Sequence, residues 1–205
     1  LTNYNETQLF AIGQDKFKSL LRDIEQAKHH IHIQYYIFKL DVIGEEIYKV
    51  LIKKAQQGIK VRVLFDDLGS RKLKVRDFQE LIDEGGEVCA FFPAFLSMIN
   101  PRLNCRNHRK VVVIDGKIGY IGGFNIGKEY AGLDEEFGFW RDLHVRIKGE
   151  AVHHLQLHFL FDWYQAMNIH YVEMNSEYFP KPKVEQVLPI QIVSSGPDTE
   201  FESIK

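Results

Sequence analysis

Apolar residues recur along this chain in two alternating rhythms. Residues 14–29 set Phe17, Leu20, Leu21, Ile24 and Ala27 at helical spacing. The run HIHIQYYIF (30–38) that follows reads as a buried strand. IGEEIYKVLIKKAQQG (43–58) predicts a second amphipathic helix with Gly58 as its C-terminal cap. IKVRVLFDD (59–67) predicts a second strand. Strand, helix and strand within about 37 residues make a βαβ unit, hence a parallel pair in an α/β sheet.

The rhythm then repeats. KVRDFQELIDEGG (74–86) reads as a helix closed by glycine and EVCAFF (87–92) as a strand. RKVVVID and IGYIGG flank Gly116-Lys117 and predict an antiparallel hairpin. DLHVRIKG (142–149) is another strand, and AVHHLQLHFLFDWYQAM (151–167) an amphipathic helix rich in aromatics. Pro180 and Pro182 among charges mark 178–187 as a linker by composition. LPIQIVSSGPDTE (188–200) opens what looks like a new strand and turn. The expected organisation is a first domain over 1–178, then a linker and the start of a second domain over 179–205.

Composition narrows the classes of function. The 205 residues are 45% hydrophobic and 26% charged, with a net charge of −2. That is ordinary for a globular protein and gives no push toward nucleic acid as a partner. Cys89 and Cys105 have neither metal-ligand spacing nor a disulfide framework, so a reducing compartment is the default. No signal peptide is visible and no run of about 18 apolar residues is present. The absence of a starting Met suggests a piece of something longer, expected to be soluble by itself.

The chemistry concentrates in NHRKVVVIDGKIGYIGGFN (107–125), where His108, Lys110, Asp115, Gly122, Gly123 and Asn125 surround the hairpin. One reading is a hairpin with polar decoration; the other is a site for a phosphodiester. His108 and Lys110 share one strand face, and the second arm returns Gly122, Gly123 and Asn125 toward them. Two glycines there let a ligand or another backbone come close. A neutral imidazole is nucleophilic near pH 7, a lysine offsets the anion's repulsion, and an asparagine amide donates to its oxygens. An aspartate can hold the imidazole in one tautomer. This chemistry needs no metal and no cofactor.

The stretch matches H-x-K-x4-D-x6-G-G-x-N at every fixed position, which by chance is of order one in a million in a chain this long. It resembles the HKD motif of the phospholipase D superfamily. HIHIQYYIFKLDVIGEEI, GIKVRVLFDDLGS, FGFWRDLHVRIKGEAV and IVSSGPD are similar, in order, to blocks of bacterial cardiolipin synthases, in their amino-terminal catalytic half. The resemblance implies an α/β phospholipase D-like lobe: a mixed sheet flanked by helices on both faces. It implies a phosphatidyltransferase that joins two phosphatidylglycerol molecules into cardiolipin through a phosphohistidine, releasing glycerol, at a bacterial cell membrane. His108, Lys110 and Asp115 would be catalytic, with Asn125, Gly122 and Gly123 on the phosphate. Two motifs face each other in such enzymes and this chain holds one, so the second half or a second copy is an implied partner. The rival is a phosphodiesterase or nuclease of the same superfamily that completes its site as a homodimer.

Other residues each carry two readings. Arg141 and Asp142 in WRD line the site or form a structural ion pair. Asp66 and Asp67 end a strand, where α/β sites gather, or cap a helix. Gln34 reaches the site floor or packs. His154 and His158 stand four apart without the glutamate a helical metal motif would add. In 90–110, Phe92, Phe95, Leu96 and Arg102 either dip into an anionic lipid surface or fill the core beside the sheet.

Overall fold

The computed structural model describes residues 1–91, 108–170 and 175–194. The βαβ unit forms as predicted. β2 (His30–Tyr35) and β3 (Lys60–Asp66) pair in parallel across α2 (Val42–Gln56). α2 starts where Asp41 caps it, its Oδ1 accepting from the amides of Ile43 (3.1 Å) and Gly44 (3.3 Å). It ends at Gly58, whose φ of 80° suits a residue without Cβ. The first helix, α1 (Gly13–Glu25), buries Phe17, Leu20 and Ile24, as its spacing requires.

The helix expected over 74–86 is shorter: a 3₁₀ turn (Val75–Phe78) runs into α3 (Gln79–Asp83), and Gly85 and Gly86 stop it. β4 (Glu87–Phe91) follows, parallel to β3. β5 (Val111–Ile114) and β6 (Ile118–Gly122) form the predicted hairpin. β7 (His144–Gly149) leads into α4 (Ala151–Ala166).

The eight strands run in the order β4-β3-β2-β5-β6-β7-β1-β8. β2 with β3 and β3 with β4 pair in parallel and the other neighbours antiparallel, giving a mixed sheet. Alternation along β2 sends Ile31, Ile33 and Tyr35 into one core with α1 and α2. The opposite positions, His30, His32 and Gln34, meet α4. Helices therefore cover both faces, as expected.

Two strands depart from the expected pattern. β1 (Thr2–Phe10) had no periodic signature and pairs with β7. β8 (Val187–Ile190) lies against β1 at the edge of this same sheet. The boundary expected after residue 178 therefore does not separate β8 from the first domain. The linker reading of 178–187 is corrected at its start, where Tyr178 is buried against His30 and His32. Residues 195–205 lie outside the described residues. Among the described residues, no helix is long and apolar enough to cross a membrane.

Candidate active site

Antiparallel pairing of β5 with β2 sets Val111 opposite Gln34. The residues just before β5 therefore lie beside those just after β2. There the ring of His108 rests on Tyr36, with centroids 4.0 Å apart. Lys110 Nζ stands 5.7 Å from the centre of the same Tyr36 ring and donates to the His108 carbonyl at 2.7 Å. Burial and the Lys110 charge pull the His108 pKa below its ordinary value, while the Asp66 carboxylate pulls it up. The imidazole is thus kept largely neutral near pH 7. Burial also lowers the Lys110 pKa, against the Asp142 carboxylate, which favours the charged ammonium.

Asn125 is buried at the same end. Its Oδ1 accepts from the Ile37 amide at 3.1 Å. This fixes the amide and ties the loop after β6 to the loop after β2.

At Gly122 and Gly123 it is another part of the chain that comes close. A Cβ on Gly123 would lie 1.8 Å from Asp142 Oδ1, and one on Gly122 would lie 2.4 Å from the Leu143 carbonyl oxygen and 2.7 Å from His144 Cγ. Their missing side chains make room for residues 142–144 at the start of β7. Asp142 thereby reaches the site, with Arg141 exposed next to it.

Asp115 is a correction. Four extended residues separate it from Lys110, which carries it roughly 15–20 Å to the other end of the hairpin. There, at φ 55° in the turn, its carboxylate accepts from the amides of Lys28 (3.0 Å), His29 (2.8 Å) and His30 (3.1 Å). It anchors the entry into β2 and cannot orient His108. The carboxylate whose charge acts on His108 is that of Asp66, whose Oδ1 accepts from the amides of Leu68 and Gly69 at 2.9 Å each. The bonds close a turn rather than cap a helix, since the next helical residues begin only at Val75.

Gln34 points toward α4, donating to Asp162 Oδ2 at 2.6 Å. Arg109 Nη1 binds the same carboxylate at 2.6 and 2.7 Å. Asp162 therefore pins the residue between His108 and Lys110 from the far face of the sheet. Gln34 is part of that anchorage.

Sequence reasoning missed Tyr36, Asp162 and His144. His144 is fully buried behind Gly122, and neither ring nitrogen has a hydrogen-bond partner among the described residues. Burial, Lys16 and Lys110 hold its pKa well below the imidazole range, so it stays neutral. The only signal for it in the sequence is its place two residues after Asp142. Phe92, Phe95, Leu96 and Arg102, the expected lipid contacts, lie outside the described residues.

A family profile described as "Cardiolipin synthase, PLD-like domain" matches residues 20–163. The chain is 50% identical over 204 residues to the major cardiolipin synthase ClsA of Bacillus subtilis (strain 168). It is 48% identical over 205 residues to a cardiolipin synthase of Listeria monocytogenes. Both alignments cover 100% of this chain and 42% of the relative, so the chain spans less than half the length of these proteins. Among solved structures it is similar in fold to NucT from Helicobacter pylori, at a TM-score of 0.58 and 18% identity over 79% of this chain and 97% of that one. It is also similar to the phosphatidylserine synthase of Haemophilus influenzae, at 0.61 and 16% over 87% and 43%.

Proposed function

Since this chain belongs to the cardiolipin synthase family of phospholipase D-like domains, we propose that the protein it is part of converts two phosphatidylglycerol molecules into cardiolipin and glycerol at a membrane surface. His108 supplies the nucleophile. Its ring nitrogen attacks the phosphorus of one phosphatidylglycerol, and an N–P bond forms as the bond to the glycerol headgroup breaks. A second motif histidine, from the remainder of the protein, gives that departing oxygen its proton. It then takes the proton from a hydroxyl of a second phosphatidylglycerol as this attacks phosphorus, and the N–P bond breaks. Lys110 and the Asn125 amide face the phosphoryl oxygens, where charge builds in both transition states.

The observation that carries this reading is the imidazole of His108, held below its ordinary basicity and resting tilted against Tyr36 beside Lys110. Asp66 is assigned the orienting charge for which Asp115 is too remote. The test is to react the intact protein with phosphatidylglycerol, quench in base and map phosphohistidine by mass spectrometry. The adduct is expected on His108. His108→Asn should abolish it and lower cardiolipin formation by about 10³-fold or more. Near-normal turnover in that variant would overturn the assignment.

A further inference from the structure

At the opposite end of the hairpin, a pocket of about 380 Å³ opens between the β5–β6 turn, the end of β7 and residues 181–184. Lys117, Lys148, Lys181 and Lys183 line it, with Glu6 as its one carboxylate. Such a group of ammonium ions repels itself unless anions intervene. Yet none of the four lysines takes part in an ion pair among the described residues. Glu6 stands opposite Lys148 across the β1–β7 register without closing to an ion pair.

The third wall is built in. A Cβ on Gly116 would lie 2.3 Å from the Tyr178 carbonyl oxygen and 2.6 Å from Pro180 Cδ, so this glycine lets the segment fold back over the turn. His153 Nε2 meets the Pro180 carbonyl oxygen at 3.0 Å and holds it there. Lys181 and Lys183 are thereby brought toward Lys117 and Lys148 from a part of the chain that composition alone reads as a linker.

We propose that this pocket binds a phosphate-bearing anion. Its volume falls in the range of small-ligand sites, and lysines act as point-charge partners for phosphate. It lies roughly 20 Å along the strands from His108 and is separate from the phosphodiester chemistry there. A soluble polyanion and a lipid headgroup share this chemistry.

The test is lysine acetylation of the intact protein at low ionic strength, read residue by residue by mass spectrometry. The probes are inorganic pyrophosphate, phosphatidylglycerol vesicles and phosphatidylcholine vesicles. Protection of the four pocket lysines, with exposed Lys53 unaffected, is expected. Protection by pyrophosphate identifies a soluble ligand, and protection by phosphatidylglycerol vesicles alone identifies a headgroup. Lys117→Gln combined with Lys183→Gln should weaken the protecting probe at least ten-fold while cardiolipin formation keeps its wild-type rate. No protection, protection spread evenly over all lysines, or an affinity unmoved in the double variant would overturn the proposal.

Discussion

Replacing Gly123 by alanine tests the built geometry of the site most directly. Gly123 is not among the glycines at positive φ, so alanine adds no backbone strain there. What it adds is a methyl group 1.8 Å from Asp142 Oδ1 and 2.3 Å from its Cγ. Restoring ordinary contact requires the carboxylate to retreat by roughly 1.5 Å. Asp142 Oδ1 also accepts from the Leu143 amide at 2.7 Å, so the retreat pulls on the entry to β7. Overpacking of this kind costs about 1–3 kcal/mol. The carboxylate moves away from Lys110, whose charged form it favours, and a shift of about 1 Å near reacting groups can cost on the order of 10² in rate. Adding Asp142→Ala separates the two effects. The double variant should recover most of the stability, because the clash is gone, and should remain slow, because the charge beside Lys110 is gone too. Urea unfolding of residues 1–205 and cardiolipin formation by the intact protein give the two readings. Wild-type stability and rate in Gly123→Ala would refute the close approach. A double variant less stable than Gly123→Ala alone would show that the obstruction is not Asp142.

Asp66→Asn keeps the carbonyl that receives the Leu68 and Gly69 amides but removes the charge that raises the His108 pKa. The acid limb of kcat/KM should move to lower pH, and an unmoved limb would exclude Asp66 as the charge acting on His108. His30 has its pKa lowered from 6.5 to about 4, chiefly by burial. The unfolded chain takes up this proton first, so stability should fall as pH drops from about 6.5 to 4, by about 3 kcal/mol at most from this group. Denaturation of His30→Gln across that window should show a shallower slope; an equal slope would sink the assignment. Residues 1–205 alone, as a monomer, should not make cardiolipin, since positioned acid–base help worth about 10²–10⁴ is missing. Vesicle assays run beside sedimentation check this, and activity that rises with dimer content would favour the self-pairing rival.

The parts of the fold that could be read in advance are those whose signal is local. β2, α2, β3 and the hairpin follow from apolar periodicity, Gly58 and the turn at 116–117. His108 and Lys110 share a face because side chains on a strand alternate. The same geometry, applied further along, should have excluded Asp115, since extended residues carry it to the far end of β5. Gly122 and Gly123 could be recognised as places of close approach, but what approaches is set by β7 pairing with β6, which no local pattern encodes. Asp162 meets Arg109 from a helix more than 50 residues later, and Tyr36 looks like one more aromatic in a buried run. β1 was illegible because TNYNETQLF is mostly polar and mostly exposed, its place set by partners on either side. β8 carries Pro189, which an edge strand tolerates.

The position of β1 also has a consequence during synthesis. Its partner β7 is paired through Asn5–Gly149, about 140 residues downstream, so at about 5–20 residues per second a ribosome leaves β1 unpaired for on the order of ten seconds. An apolar strand waiting that long offers an open edge to other nascent chains. Asn3, Asn5, Glu6, Thr7 and Gln8 give this strand little to aggregate with. Its polarity is the safeguard that lets the sheet be completed last at this edge, after the end bearing His108 has been translated in full.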